Sequence, residues 1–257
     1  MSMNAHNPVP APSSAGHPTL SIVIPAHDEA EQLPATLAHL FTALRTAAIQ
    51  AEIIVVDDAS TDTTAAMATA AGAQVVSVDA RHIAAARNAG AAVARAPRLC
   101  FIDADTHVDA AVLQAALRAL EAGASGGGAR VRLQRPVAWH ARLGEAFFGA
   151  LLRLGRIAPG CFLFCSRHAF DATGGFDLRF YAGEDVAMSR ALARQGRFVL
   201  LRAPVWTSAR KLHSFSAWEH LKLFAALARH GRSLLHSRER LAFWYGPRRP
   251  PRPPTRR

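Results

Sequence analysis

Three short apolar runs early in the chain each stop at a polar or acidic corner. Leu20 to Ile24 (LSIVI) closes on Pro25-Ala26-His27-Asp28-Glu29. Glu52 to Val56 (EIIVV) closes on Asp57-Asp58, and Leu99 to Ile102 on Asp103-Ala104-Asp105. Runs this short and this rich in β-branched residues predict strands buried on both faces, as in a parallel sheet. Helical patterns separate them, from Glu31 to Ala48, from Ser60-Thr61-Asp62 to Gly72, and from Ile83 to Ala94, with Gln74 to Val78 as a further strand. Ser60, Thr61 and Asp62 supply capping chemistry for the second helix. Strands and helices alternating in this way predict an α/β fold with a doubly wound, mostly parallel sheet flanked by helices. Ligands of such sheets sit at the carboxyl ends of the strands. Three acidic corners on one rim would repel one another unless cations or hydrogen-bond donors balance them.

The second half is less regular. Gly123 to Gly128 reads as a turn-rich break, followed by an edge strand over Ala129 to Leu133. A long helical stretch from Val137, a strand near Phe162 to Cys165, a turn at Gly174-Gly175-Phe176 and a helix from about Glu184 follow. Phe198 to Leu201 is a last strand, with a helix from about Ala217 to His230. The expected organisation is a disordered leader over residues 1–18, one domain over 19–245, with a regular half over 19–109 and a more helical half over 110–245, and a basic Pro/Arg-rich tail over 246–257.

Half of the 257 residues are apolar, which allows a large core and excludes general disorder. The net charge of +11 comes almost wholly from arginine, since lysine occurs only at Lys211 and Lys222. That balance suits anionic partners such as nucleotide diphosphates or phospholipid headgroups. No zinc-finger or RNP motif accompanies it, so specific nucleic-acid binding has no support. Three cysteines, Cys100, Cys161 and Cys165, are a reducing-compartment pattern, and a cytoplasmic protein is expected. No run of about 18 apolar residues predicts a transmembrane helix. The tail instead offers reversible contact with the inner face of an anionic membrane.

Asp103 and Asp105 carry the most specific chemistry. In extended backbone, side chains two apart share a face. Two hard oxygen donors at that spacing suit Mg²⁺ or Mn²⁺ bridging to substrate phosphates. The absence of a GxGxxG fingerprint or P-loop removes dinucleotide and ATP readings.

Taken in order, the segments SIVIPAHDE, EIIVVDDASTDTT, AAARNAGAAVA, FIDADT and GGFD…GED resemble the inverting family 2 glycosyltransferases of GT-A fold, from about Leu20 to Ala193. The resemblance implies transfer of a sugar from a nucleotide-diphosphate donor to an acceptor hydroxyl on a glycan, lipid or small molecule, assisted by Mn²⁺ or Mg²⁺. Pro25, Ala26, His27 and Glu29 would line the nucleotide, and Asp57 or Asp58 would accept a hydrogen bond from the base or ribose. Arg87, or Arg81 just before it, would approach the base or diphosphate, with a surface salt bridge as the alternative, and Asn88 and Gly90 would set helix geometry. The resemblance also makes 19–109 the nucleotide-sugar-binding half and 110–245 the acceptor-binding half. Asp103 would face ribose and sugar, and Asp105 would ligate the metal. Glu184 and Asp185 correspond to the family's acid pair, with Asp185 the general base. Arg210 and Lys211 would neutralise the leaving diphosphate, and His213 is a candidate further metal ligand. No Q-x-x-R-W motif follows, which implies a non-processive enzyme. A sugar-1-phosphate nucleotidylyltransferase and a non-catalytic nucleotide-sugar or polyanion binder are the rival readings.

Overall fold

The computed structural model describes residues 17–134, 155 and 157–208. In chain order the elements are β1 (Leu20–Ala26), α1 (Leu33–Ala47), β2 (Ala51–Asp58), α2 (Thr64–Ala70), β3 (Gln74–Val78), α3 (Ile83–Val93), β4 (Arg98–Ile102), β5 (Thr106–His107), α4 (Ala110–Glu121), β6 (Ala124–Leu133), β7 (Phe162–Ser166), α5 (Arg167–Thr173), α6 (Glu184–Gln195) and β8 (Arg197–Thr207). They build one eight-stranded sheet in the order β3-β2-β1-β4-β7-β6-β8-β5. The β3-β2-β1-β4 half is parallel throughout, as the alternating pattern predicts. β7 runs antiparallel to both β4 and β6, and β8 returns parallel to β6. β1, β2, β3, β4, β6 and β8 therefore present their carboxyl ends along one rim.

β1 is buried on both faces, as a central strand must be. Ile22 and Ile24 join Leu33, Leu37 and Leu40 of α1 and Leu113 of α4 in one core. Val23 faces the other way, with Ile54, Val56, Phe101, Phe170, Phe176 and Leu192. Fully burying each such side chain stabilises the fold by roughly 1.5–3 kcal/mol. α3 approaches the second face closely because Ala84, Ala86, Gly90 and Ala91 on its buried side are small. A Cβ placed on Gly90 would lie 2.8 Å from Val56 Cγ2 and closer still to Val23, so this glycine sets the helix-to-sheet spacing. Asn88 fixes the same helix to the Gly174-Gly175-Phe176 turn. Its Nδ2 donates to the Phe176 carbonyl at 2.9 Å, and its Oδ1 accepts the Phe176 N–H at 2.8 Å.

Two expectations fail in the second half. The glycine run is strand rather than turn, because Gly126, Gly127 and Gly128 lie inside β6. A side chain at Gly126 would meet the Phe164 carbonyl at 2.7 Å, and one at Gly127 the Phe164 ring at 2.5 Å, so close packing demands glycine here. Nor is the strand an edge, since β6 lies between β7 and β8. The expected helices from Val137 and from Ala217, the leader to residue 16, and the basic tail lie outside the described residues. No helix among the described residues is long and apolar enough to cross a membrane.

Candidate active site

The carboxyl ends of β1 and β2 are stitched into one polar corner. Pro25 and Ala26 complete β1, and the chain then turns through Asp28 at φ 50°. Asp28 Oδ1 accepts the N–H and hydroxyl of Thr61, at 2.7 and 3.2 Å. Burial alone would raise the Asp28 pKa, but these donors and the charge of His27 outweigh it and hold the carboxyl below its usual range. The Asp28 N–H donates to Ser60 Oγ, and the Glu29 N–H to Thr64 Oγ1. His27 Nδ1 lies 2.8 Å from the Asp58 carbonyl, which can only accept, so Nδ1 carries the proton. Its Nε2 faces the Arg81 guanidinium at 3.2 Å.

Asp57 and Asp58 occupy opposite roles although they are neighbours. Asp58 Oδ1 accepts the N–H groups of Ala80 and Arg81, and Oδ2 that of His82, at 2.7–2.8 Å. Its carboxylate is thereby committed to shaping the loop after β3, where Arg81 sits at φ 48°. Asp57 Oδ1 is buried with no hydrogen-bond partner. Of the two, only Asp57 retains a buried acceptor atom for a ligand, and a buried orphan acceptor is costly unless something fills it.

The second corner centres on Arg87. This side chain from α3 is 2% exposed and reaches three separate segments. Its Nη1 donates to Glu184 at 2.7 Å, and its Nη2 to Asp103 Oδ1 at 3.0 Å and to the Gly160 carbonyl at 2.8 Å. The ring of Phe176 closes over the guanidinium at 5.2 Å. Arg87 is therefore neither a surface salt bridge nor an open contact for the base. It is a buried strut joining the DAD segment to the GED segment.

Asp103 and Asp105 do not share a face of an extended strand. β4 ends at Ile102, and the Asp103 carbonyl accepts the Thr106 N–H at 3.0 Å, closing a turn. Asp103 reaches back to α3, while Asp105 Oδ1 accepts the Thr207 hydroxyl at 3.2 Å. The turn sends the two carboxylates to different neighbours. They still belong to one acidic locale, because burial and then the charges of Asp103, Asp105 and Asp185 together push the Cys161 thiol well up. Cys161 is thus a neutral thiol.

Glu184 and Asp185 open α6, where acidic residues suit the positive end of the helix dipole. Gly183, at φ 77°, turns the chain into the helix. Asp185 Oδ1 accepts the Val186 N–H at 2.8 Å, and the backbone at Gly160 passes so near that a Cβ there would lie 3.0 Å from Oδ2. Arg87 bonds Glu184 and Asp103 directly but not Asp185. Burial, and then the charge of Glu184, raise the Asp185 carboxyl to about 7, against the lowering influence of Arg87. A carboxylate poised there can take a proton near neutral pH.

The residues present accommodate a divalent cation only as a partial shell. Asp103 and Asp105 are hard oxygen donors, but no group of three His, Cys, Asp or Glu among the described residues is arranged around a common point. Such a set fits Mg²⁺ or Mn²⁺ held largely by water and phosphate oxygens. Arg210, Lys211 and His213 lie outside the described residues. The sequence marks neither the Gly160 carbonyl nor Thr207, and it marks Phe176 as part of an acceptor-side turn, not as the ring over Arg87. Only the Gly-Gly-Phe turn carried a signal, since a glycine pair before an aromatic marks a forced close approach.

The model of the glycosyl transferase family 2 matches residues 21–192. Uncharacterized glycosyltransferases of Mycobacterium bovis and Mycobacterium tuberculosis are 36% identical over 145 residues, 54% of this chain and 62% of theirs. The chain thus spans about three fifths of the length of these relatives. Among solved structures, mannosyltransferase PcManGT from Pyrobaculum calidifontis, in complex with GDP-Man and Mn²⁺, superposes with a TM-score of 0.65 at 20% identity. That match covers 92% of this chain and 74% of that one. S. aureus TarS 1-349 in complex with UDP-GlcNAc gives 0.61 at 15% identity, covering 88% and 78%. These neighbours share the GT-A architecture. With a family match over most of its described length, the chain belongs to glycosyl transferase family 2.

Proposed function

We propose that this protein transfers a sugar from a nucleotide-diphosphate donor to an acceptor hydroxyl by inverting single displacement, with Asp185 as general base. The observation that carries the reading is the Asp185 carboxyl, raised to about 7 beside the Arg87 strut that holds Asp103 and Glu184. Direct displacement needs a base on the side away from the departing diphosphate, to take the acceptor's proton as its oxygen attacks. Glu184, bonded to Arg87, keeps the first turn of α6 in place so that Asp185 can do so. Asp57, with its unfilled buried oxygen, would receive a donor group of the base or ribose, and the β1 corner from Pro25 to Glu29 would line the nucleotide. Asp58 would act indirectly, by shaping the loop that carries Arg81 and His82.

Asp105 and Asp103 would hold the metal, which when bound would offset the charge developing on the leaving diphosphate. Neighbours of this fold hold GDP-Man with Mn²⁺ and UDP-GlcNAc, which makes uridine and guanosine nucleotides the first to test. Calorimetric titration of UDP and GDP, with and without Mn²⁺, into wild type, Asp57→Asn and Asp105→Ala provides that test. Metal-dependent binding of one nucleotide is expected, weakened in Asp57→Asn and stripped of its metal dependence in Asp105→Ala. Absence of binding by either nucleotide under both conditions would overturn the proposal.

A further inference from the structure

On β6 the residues alternate between the two faces of the sheet. Ala129 lies in the first core and Val131 packs against it, while Gly128 faces Ala158 in the second. Arg130 and Arg132 therefore share the second face, the one on which α6 packs and Asp185 lies. Two residues along a strand separates them by about 7 Å. Arg130 is exposed and Arg132 half-buried, and neither is paired with an acid among the described residues. The Arg132 guanidinium lies 5.8 Å from the ring centre of Trp206, its register partner on β8, and its Nε is buried with no hydrogen-bond partner. A buried guanidinium N–H with no acceptor is unfavourable unless a ligand supplies one.

Position on the rim says which ligand. β4 and β6 both run antiparallel to β7, so the carboxyl end of β6 lies on the same rim as the DAD turn. Thr207, the residue after Trp206, bonds Asp105. The arginine pair stands across β4 and β7 from the β1–β2 corner that would hold the nucleotide, and on the face of the base. We infer that Arg130 and Arg132, with Trp206 as a flat support, form the subsite for a phosphate group on the acceptor. This rests on the glycosyl-transfer reading. A planar guanidinium binds phosphate oxygens two at a time, and two arginines on one face match a dianion better than a single carboxylate. The acceptor would then be a phosphorylated molecule whose hydroxyl is presented to Asp185, either water-soluble or a lipid phosphate.

The test uses the full chain with its nucleotide site filled by UDP or GDP and Mg²⁺, so that added phosphate cannot report on the diphosphate position. Phenyl phosphate is titrated by calorimetry into wild type, Arg132→Gln and Arg130→Gln. Wild type should bind it, with affinity about tenfold weaker in Arg132→Gln and a few-fold weaker in Arg130→Gln, at unchanged nucleotide affinity. Thermal melting checks that each variant is folded; exposed Arg130 carries the comparison should Arg132→Gln unfold. No binding to wild type, or equal binding to wild type and both variants, overturns the subsite. Loss of nucleotide affinity in step with phosphate affinity also overturns it, by assigning the arginines to the donor. Sedimentation with phosphatidylcholine vesicles containing dioleoyl phosphatidate separates the sources. Arg132-dependent sedimentation assigns a lipid phosphate, and phenyl phosphate binding without it assigns a soluble one. Should neither nucleotide bind, the transfer reading falls, while phosphate affinity that still depends on Arg132 leaves an anion site standing by itself.

Discussion

Asp58 and Asp185 stand on the same rim, yet their surroundings are opposite. Asp58 receives three backbone N–H groups from one loop and needs no cation. Asp185 is one of three carboxylates gathered around the single guanidinium of Arg87, and the one that Arg87 does not bond directly. The first is a carboxylate whose ionised form is fully hydrogen-bonded, which is how a loop is held. The second is one whose ionised form is under-compensated, which is how a proton acceptor is made. Acidic corners of equal appearance in the sequence thus divide into a scaffold and a candidate base according to who donates to them.

The largest test of that division is Asp185→Asn. Loss of a general base costs about 10²–10⁴ in kcat, and nucleotide affinity should hold. A nucleotide-release assay showing a change of less than about tenfold would place the base elsewhere. Next is Arg87→Met, which leaves Glu184 and Asp103 without their shared cation. Removing one partner of a buried pair costs about 3–5 kcal/mol, measurable by urea unfolding, and a loss below about 1 kcal/mol would mean the strut is not a strut. Asp58→Ala should cost about 2–3 kcal/mol through its stranded N–H groups. The pH dependence of turnover in that variant should stay at its wild-type position, and a displaced profile would erase the distinction between the corners.

The last effect concerns stability as a function of pH. The folded Asp185 carboxyl is held up to about 7, against 3.8 for an ordinary aspartate. Below about pH 4 both folded and unfolded chains are protonated there. Between about pH 4 and 7 the folded chain keeps a proton that the unfolded chain releases, so stability falls as pH rises and the loss is complete above 7. Asp185→Asn should therefore melt higher than wild type at pH 8 and no higher at pH 4. In wild type the rising limb of kcat/KM should lie near pH 7. Equal melting points at pH 8 would show that burial does not strain this acid.

The chain's own pattern determined the parallel half. LSIVI, EIIVV and the run ending at Ile102 became β1, β2 and β4, because an apolar strand flanked by helical patterns has few ways to bury both faces. The same local chemistry set the acidic corners at the strand ends and the acid pair at the start of α6. Glycines were misread where their reason was distant. Gly126 and Gly127 are small because Phe164 and the β8 backbone approach them, and no neighbour in sequence announces that. The roles of the charged residues were likewise decided in three dimensions. Arg87 meets Glu184 across 97 positions and Gly160 across 73, while Asp58 turns away from Asp57 to hold the next loop. Periodicity and strand-end composition are local properties, so the chain states them outright. Which carboxylate a cation neutralises, and which it leaves to take a proton, depends on contacts between segments far apart in sequence, and only the folded sheet brings those together.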